Sequence, residues 1–163
     1  MKKALYVFVG LAIIITILLI FGRKHISNEI EINAPIDKVW TALTDFSKYP
    51  DWNPFIRKVN GEIKKGNIIE VTFQTKGNDP IVFTPEIKLF EKNNVFQWEG
   101  KLFLPWIFTG KHTFQLSQID INKTKLIQIE DFNGILVPLF NFDTTIEGFD
   151  LMNKEFKKRL ENK

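Results

Sequence analysis

The strongest constraint on the fold of this chain is a change in hydrophobic period towards its C-terminus. Between Ile69 and Phe132, apolar and polar residues alternate in short runs separated by turn residues, which is the pattern of β-strands. From Thr144 to Asn162, apolar residues recur every three or four positions, which predicts a long amphipathic helix. Consecutive strands on short turns indicate an antiparallel sheet, and a sheet and a helix with apolar faces must cover each other. The sequence therefore predicts an α+β domain.

The segment before the predicted sheet contains a rigid aromatic loop. Alternating residues from Ile26 to Ile32 predict a first strand, and Ala34-Pro35 opens a short amphipathic helix. The following stretch, Tyr49–Phe55, contains two prolines four residues apart, from which we expect no helix at this position. Trp52 and Phe55 would then be presented from a stiff connection beside the sheet, which favours a pocket wall.

A long uncharged segment at the N-terminus predicts a membrane anchor. Residues 4–22 contain no charged side chain, and a helix of this length covers about 27–28 Å, close to the hydrocarbon thickness of a bilayer. A cleaved signal peptide is the alternative, but its apolar region is usually about 7–15 residues long, and Phe21–His25 offers no cleavage site of small residues. We therefore expect an uncleaved transmembrane anchor at 4–22 and one globular domain at 26–163.

Basic residues flank the anchor on both sides and account for the positive net charge. Lys2 and Lys3 nearly balance Arg23 and Lys24, so the side of the membrane that carries the domain stays open. Removing these four from the 22 basic residues leaves 18 against 19 acidic ones, which gives no reason to expect a nucleic-acid partner. With Arg23–His25 as its linker, the domain would lie against the membrane as a single-pass protein, which we expect in a bacterial cell membrane.

Several kinds of catalytic and cofactor site have no support in the sequence. Cysteine is absent, and the two histidines, His25 and His112, have no carboxylate at the spacing of a metal site, so we expect no metal. The nine glycines never form a Gly-x-Gly pair, which argues against a dinucleotide or phosphate loop. No serine stands in a nucleophile-elbow context. We therefore expect no cofactor.

Short motifs along the chain occur in an order that resembles one superfamily. In chain order they are Ala34-Pro35 with Val39-Trp40, Trp52-Asn53-Pro54-Phe55, Trp98-Glu99-Gly100, Gly110-Lys111-His112-Thr113-Phe114, Glu130-Asp131-Phe132-Asn133-Gly134-Ile135-Leu136-Val137-Pro138 and Met152-Asn153-Lys154. From Ser27 onwards the chain resembles the SRPBCC superfamily, which includes START-like lipid-transfer domains and polyketide cyclase/dehydrase-like proteins. The resemblance implies a helix-grip fold, in which a curved antiparallel sheet wraps around the C-terminal helix and leaves a hydrophobic ligand cavity. The predicted anchor departs from it, because most members are soluble.

The resemblance and the strand alternation together indicate which side chains line the cavity. We expect one set of apolar side chains to face inward and a second set, on loops, to form the mouth. The inward set is Trp52, Phe55, Phe73, Phe83, Ile87, Trp98, Leu102, Phe114 and Phe149, and the mouth set is Trp106, Leu136 and Phe140. An inward aromatic residue is more often plain core than a ligand contact, so only their collective excess supports a cavity.

Polar residues on the inner face are candidates for anchoring a ligand. His112 shares a face with Phe114. The last predicted strand offers two inward sets, namely Leu126, Gln128, Glu130 and Phe132, or Ile127, Ile129 and Asp131. Periodicity does not decide between them, but the resemblance favours the first, which would bring Glu130 close to His112. The pair would be a satisfied interior pair, an anchor for a ligand head group, or an acid–base pair.

Three functions follow from these observations. The preferred one is a membrane-anchored domain, attached through its N-terminal helix, that binds a lipid or another hydrophobic small molecule in its cavity. The second is a cyclase- or isomerase-like enzyme that acts on a polyketide-type or aromatic substrate through His112 and Glu130. The third is an interaction module that uses the fold as a scaffold at the membrane surface. The sequence favours binding over catalysis because it shows no positioned substrate.

Overall fold

The computed structural model describes residues 2–74, 77 and 79–162, with the side chains of residues 17, 19 and 21 outside the described part. The described α-helices are α1 (Lys2–Phe21), α2 (Ile36–Thr44), α3 (Tyr49–Trp52) and α4 (Asp143–Glu161). The described strands are β1 (Arg23–Ile32), β2 (Ile56–Asn60), β3 (Glu70–Phe73), β4 (Ile81–Phe83), β5 (Glu86–Glu91), β6 (Val95–Lys101), β7 (Thr109–Asp120) and β8 (Lys123–Asn133). Short 3-10 helices lie at Phe46–Lys48 and Val137–Leu139.

The strands form two antiparallel sheets. The larger sheet has the order β1-β8-β7-β6-β5, and the smaller has the order β2-β3-β4. A bridge between Ile68 and Glu86 joins the segment before β3 to β5. Helix α4 lies across the inner face of the larger sheet, where Gln128 of β8 donates a hydrogen bond to Asn153 of the helix. The structure thus confirms the predicted α+β class and the helix-grip arrangement of a curved antiparallel sheet around the C-terminal helix.

The inward face of β8 is the one that the family resemblance favoured. Leu126, Gln128 and Glu130 are buried, whereas Ile127 and Ile129 between them are half-buried on the opposite face. Because alternate residues of a strand point to opposite faces, the set of Leu126, Gln128, Glu130 and Phe132 faces inward. Strand β8 therefore places Gln128 and Glu130 among the apolar side chains of the inner face.

Strand β1 begins directly after α1 and not at Ile26, as the sequence predicted. Arg23 pairs with Asn133 of β8, and His25 pairs with Asp131. The expected linker is therefore part of the sheet. The reason is that β8 is long enough to offer backbone partners to every residue of β1.

The aromatic loop contains a short helix, which contradicts the expectation of no helix there. Pro50 occupies the first turn of α3, where the N–H that proline lacks has no intrahelical partner. Pro54 lies beyond the end of that helix. The guanidinium of Arg57 donates hydrogen bonds to the carbonyl oxygens of Asn53 at 2.6 Å and Pro50 at 2.9 Å. The loop is tied to β2 by these bonds as well as stiffened by its prolines.

Helix α1 coincides with the predicted anchor. Most of its described apolar side chains, among them Phe8, are exposed. Over the residues described, the structure contains no helix that combines the length and the apolar character needed to cross a membrane. The side chains of Ile17, Leu19 and Phe21 belong to the predicted anchor and lie outside the described part. The structure therefore does not support a transmembrane anchor at 4–22.

One end of the core is tightly filled by aromatic side chains. The ring of Trp52 lies 5.0 Å from that of Tyr49 and 4.9 Å from that of Phe156 in α4. Tyr49 is fully buried, and its hydroxyl donates a 2.6 Å hydrogen bond to the carbonyl oxygen of Leu43. Burial raises the pKa of the Tyr49 hydroxyl far above its usual value, so it remains a donor. Beyond this end, towards the N-terminal half of α4, the described residues leave a space between sheet and helix.

Candidate functional site

A cavity of about 270 Å³ lies between the N-terminal half of α4 and the two sheets. Both sheets, the helix and the segment before the helix contribute to its wall. The lining residues are Phe55, Phe73, Ile81, Phe83, Pro85, Trp98, Gly100, Lys101, Leu102, Phe108, Gly110, Glu130, Phe132, Phe140, Asn141, Phe142, Thr144, Thr145 and Phe149. Eight of them are phenylalanines. An apolar cavity with few polar groups is typical of sites for hydrophobic small molecules.

The structure brings together about half of the site residues predicted from the sequence. Those that line the cavity are Phe55, Phe73, Phe83, Trp98, Leu102, Glu130, Phe132, Phe140 and Phe149. Those that do not line it are Trp52, Ile87, Trp106, His112, Phe114, Gln128 and Leu136. For the first group, contact with a ligand stays a prediction.

The position of Phe55 is set by the loop before it and by the helix behind it. The side-chain oxygen of Asn53 accepts hydrogen bonds from the backbone N–H groups of Phe55 and Ile56, both at 2.9 Å. Gly148 of α4 faces the ring of Phe55, and a Cβ atom there would overlap with that ring. The neighbouring Phe149 meets the same ring edge-on, with 5.8 Å between centroids. This corner of the cavity is therefore fixed by both elements.

Aromatic pairs form the walls on either side of the cavity. On the smaller sheet, Phe73 contacts Phe55 at 5.2 Å and Phe83 at 5.7 Å between ring centroids. On the larger sheet, Phe132 of β8 stacks on Phe142, just before α4, at 4.4 Å. Each ring restrains its neighbour, so the walls present a defined apolar surface.

A buried hydrogen-bonded pair, His112 and Glu130, lies at the wall on the larger sheet. His112 of β7 lies opposite Glu130 of β8 in the ladder, and its Nδ1 atom is 2.7 Å from the Oε2 atom of the carboxylate. Gly110 makes room for the other carboxylate oxygen, since a Cβ atom there would lie 2.8 Å from Oε1. Glu130 is the one carboxylate among the described lining residues, and Lys101 is the one ammonium. A bound molecule would therefore meet Glu130 as its acidic contact.

His112 itself does not line the cavity, although the sequence predicted it there. Its ring stacks on Trp98 at 4.9 Å and contacts Phe114 at 4.4 Å and Phe149 at 5.0 Å, which leaves the side chain about 1% exposed. The side chain is therefore not open to a molecule in the cavity. Its geometry is that of a residue that holds Glu130 in place.

The other predicted site residues that do not line the cavity lie in the packed core or outside the cavity. Trp52, Ile87 and Phe114 are buried in the hydrophobic core and pack against its other members. The amide of Gln128 donates to Asn153 Oδ1 at 2.5 Å, so α4 covers it. Correct inward parity is therefore not sufficient, because the helix covers part of the inner face.

Two residues predicted at the mouth, Trp106 and Leu136, do not line the cavity and lie at its outer edge. Trp106 is exposed, and Leu136 is half-buried beside it. The backbone N–H groups of Ile135 and Leu136 donate to the carbonyl oxygens of Trp106 and Ile107, both at 3.1 Å. These two segments form the outer edge of the mouth, while Phe140 lies within it.

Several lining residues had not been predicted from the sequence. They are Ile81, Pro85, Gly100, Lys101, Phe108, Gly110, Asn141, Phe142, Thr144 and Thr145. Strand parity was a usable signal for Phe108 and Gly110, which share a face with His112. No periodic pattern identifies the segment from Asn141 to Thr145, because it precedes and begins the helix.

A surface groove of about 410 Å³ lies beside the cavity. Its lining residues are Arg23, Lys24, Val137, Pro138, Phe140, Asn141, Phe142, Asp143 and Ile146. Phe140, Asn141 and Phe142 belong to both the groove and the cavity wall. These three residues therefore form the partition between the outer groove and the inner cavity.

The described part of the chain contains no cluster of side chains that would bind a metal ion. There, no three histidine or acidic side chains are placed to hold one ion. The chemistry that the cavity offers is that of an apolar site with a single carboxylate held by hydrogen bonding.

The sequence matches a known family over most of its length. Residues 23–162 match the family described as "Polyketide cyclase / dehydrase and lipid transport". This range begins with β1 and ends with α4, so it contains every element of the cavity. No curated protein sequence matches the chain.

Solved structures of the same fold include enzymes of small-molecule biosynthesis. Norcoclaurine synthase from Thalictrum flavum, solved in complex with dopamine and hydroxybenzaldehyde, is 18% identical, with a TM-score of 0.62 over 86% of this chain and 88% of that one. The Zhui aromatase/cyclase from Streptomyces sp. R1128 is 18% identical, with a TM-score of 0.61 over 85% and 94%. Protein CV1439 from Chromobacterium violaceum is 13% identical, with a TM-score of 0.68 over 85% and 99%. At these identities the similarity shows a shared fold.

Replacing His112 by phenylalanine should destabilise the protein, because Glu130 would lose its partner. Phenylalanine keeps a ring stacked on Trp98, so packing changes little. Removing one partner of a buried pair costs ~3–5 kcal/mol, and we expect about 3 kcal/mol because Glu130 borders the cavity. The double variant His112→Phe/Glu130→Leu removes both polar groups and should recover most of the loss. Urea denaturation followed by circular dichroism measures the free energies of unfolding.

The exposed pair of His25 and Asp131 provides the matched control for this experiment. Its Nδ1 to Oδ1 distance is also 2.7 Å, but the two side chains are 63% and 35% exposed. The change His25→Phe should therefore alter the free energy of unfolding by less than about 0.5 kcal/mol. A loss in His112→Phe that the double variant fails to restore would assign the effect to packing and contradict the role given to the pair.

Proposed function

Because the chain belongs over residues 23–162 to the polyketide cyclase/dehydrase and lipid-transport family, we propose that it binds a lipid or another hydrophobic small molecule in its internal cavity. The observation that carries this proposal is the space of about 270 Å³ between sheet and helix, walled mainly by phenylalanine rings. A core of this size normally fills such a space, since protein interiors are close-packed. An apolar guest would recover the contacts that the walls lack.

The polar groups of the cavity indicate the chemistry of the ligand. The Oε1 atom of Glu130 lies beside Gly110, while its Oε2 atom is hydrogen-bonded to His112. A carboxylate in this position favours a ligand with an apolar body and one hydrogen-bond donor, such as a hydroxyl or an amine. Lys101 on the wall is exposed at the mouth, where it would meet the outer end of a longer ligand.

Filling the cavity should abolish binding of a small aromatic alcohol. We expect the full chain to bind 2-naphthol saturably, and more tightly than naphthalene, which has no hydroxyl to donate a hydrogen bond to the Oε1 atom of Glu130. Thr145→Trp places an indole in the cavity wall and should weaken binding at least tenfold, or by about 1.4 kcal/mol. Isothermal titration calorimetry in detergent, with empty micelles as the blank, measures the dissociation constants.

A tryptophan outside the cavity is the matched control for this variant. Ser117 is exposed on β7 and does not line the cavity, so Ser117→Trp should bind 2-naphthol like the unaltered protein. Equal binding by both variants would place the probe elsewhere on the molecule. Absence of saturable binding in the unaltered protein would contradict the proposal.

A cyclase- or isomerase-like activity is the second candidate, favoured by the exposure of Glu130 to the cavity. The similar structures include an aromatase/cyclase and a synthase with two aromatic molecules bound. Here Glu130 would take a proton from the carbon beside a carbonyl group and return it to the substrate. In heavy water the returned particle is a deuteron. His112, being closed off, would only position Glu130.

Hydrogen exchange of 2-tetralone in heavy water tests this second candidate. The protein should accelerate exchange at the carbon beside the carbonyl, and Glu130→Gln should abolish the acceleration because the amide is a far weaker base. Proton NMR follows the loss of signal. Exchange at the rate of buffer alone would contradict the enzymatic proposal and leave the binding proposal untouched.

We also propose that α1 holds the domain at a bacterial cell membrane. The support is the uncharged sequence of residues 4–22 and the exposure of apolar side chains such as Leu11 and Ile14 in the described part of the helix. In water such a surface would be unfavourable, whereas lipid would cover it. Which side of the membrane carries the domain follows from neither observation.

Charged substitutions in α1 should release the protein from the membrane fraction. The full chain is expected in the membrane pellet after carbonate washing and in the soluble fraction after detergent extraction. The variant Leu11→Asp/Ile14→Asp should instead appear in the carbonate supernatant, since a charge within a membrane helix costs ~2.5–3.5 kcal/mol. Immunoblotting of the fractions measures this. Recovery of the unaltered chain in the carbonate supernatant would contradict membrane attachment.

A further inference from the structure

Exposed apolar side chains surround the mouth of the cavity. We define the mouth rim as Leu102, Phe103, Leu104, Trp106, Leu139 and Phe140, all of which are exposed. Two of these residues, Leu102 and Phe140, also line the cavity, so the rim and the mouth are continuous. Contiguous apolar surface of this kind marks a binding face for a protein or a membrane.

The rim is built onto the junction between α1 and the sheet. The backbone N–H of Gly134 donates to the carbonyl oxygen of Gly22 at 2.8 Å, directly at the end of α1. The next N–H along, that of Ile135, donates to the carbonyl oxygen of Trp106 at 3.1 Å. A Cβ atom at Gly22 would overlap with the backbone of Gly134, so the two segments meet in direct contact. The end of α1, the rim and the cavity mouth therefore occupy one side of the molecule.

Phe103 is presented at this side by an unusual backbone conformation. Its φ angle is +63°, in the left-handed region that bulky residues rarely adopt, and its side chain is 77% exposed. A strained backbone that holds a large apolar group in the open gains nothing for folding in water. Such strain is found where function requires it.

Basic residues flank the rim. Arg23 and Lys24 line the groove beside Phe140, and Lys101 precedes the loop that carries Phe103. None of the three basic side chains takes part in an ion pair or a side-chain hydrogen bond with a described residue. Asp143 is the acidic residue of the same groove, so the positive charges exceed the negative. Apolar side chains flanked by free cations fit a bilayer surface that contains anionic lipids.

We propose that the mouth rim inserts into the surface of a lipid bilayer containing anionic lipids, so that the cavity opens towards the apolar layer of the membrane. This goes beyond the proposed binding function, on which its use for ligand uptake rests. A bilayer fits better than a protein partner because the rim adjoins α1, whose exposed apolar side chains call for the same environment. A ligand would then pass from lipid to cavity between Leu102 and Phe140 without crossing water.

The position of Trp106 provides a direct test. The other three tryptophans, Trp40, Trp52 and Trp98, are at most 9% exposed, whereas Trp106 is 55% exposed. The full chain is reconstituted in vesicles of equal parts phosphatidylglycerol and phosphatidylcholine, the latter brominated on its acyl chains. We expect bromine to quench about a quarter of the tryptophan emission, the share of one residue in four, because only Trp106 reaches the acyl region. The variant Trp106→Phe should lose this quenching.

Two aspartate variants separate rim insertion from attachment through α1. Phe103→Asp places a charge in the rim and should abolish the quenching, while flotation with the vesicles persists through α1. Ile121→Asp makes the same change at an equally exposed residue, 78% exposed, at the opposite end of the β7–β8 hairpin, and should leave the quenching unchanged. Unquenched Trp106 in the unaltered chain, or equal quenching in both aspartate variants, would overturn the inference.

Titration of 2-naphthol against vesicles with and without protein separates this inference from the proposed function. Saturable binding without quenching of Trp106 would overturn rim insertion alone. Quenching without saturable binding would overturn the proposed binding function and would still support insertion of the mouth rim. Replacing phosphatidylglycerol by phosphatidylcholine should weaken the quenching, and an unchanged signal would contradict the part assigned to Arg23, Lys24 and Lys101.

Discussion

Phe149 contacts both the aromatic loop and the larger sheet, and this double contact holds α4 in its place. Its ring lies 5.8 Å from that of Phe55 and 5.0 Å from that of His112. Gly148, without a side chain, lets α4 approach Phe55 closely enough for this contact. One helical turn therefore sets the distance between loop and sheet. If α4 moved outward, the cavity would lose the part of its wall that Phe149 forms, and His112 would become exposed.

The hydrogen-bonded pair of His112 and Glu130 gives the apolar cavity a polar group that is already partnered. A carboxylate inside an apolar wall is costly unless it is paired, and His112 supplies the partner from within the sheet at 2.7 Å. Replacing a buried pair by apolar residues is often neutral for stability, so stability alone does not account for its presence. What the pair adds is a single polar point on a wall of phenylalanine rings. That is the feature by which an apolar site distinguishes one hydrophobic molecule from another.

Much of the fold could be predicted from the sequence, because its hydrophobic patterns have strong physical causes. The alternation of β7 and β8 and the helical period of α4 each predict one apolar face, and packing the helix on the sheet covers both. The residues that line the cavity were harder to predict, because alternation along a strand shows only whether a side chain points inward or outward. Gln128 and Glu130 both point inward, yet α4 covers the first and leaves the second at the cavity. The short helix at Pro50 depends on position within one turn, and periodicity carries no such information.

The absence of a linker between α1 and β1 gives the mouth its orientation. Arg23 already pairs with Asn133 in the sheet, and Gly22 is held against Gly134 by a backbone hydrogen bond. The domain therefore does not swing on a flexible tether, and whatever surface surrounds α1 also faces the mouth rim. A longer linker would let the domain sample many orientations, as flexible segments do. In this chain the path between a bilayer and the cavity would be short because the first strand begins where the first helix ends.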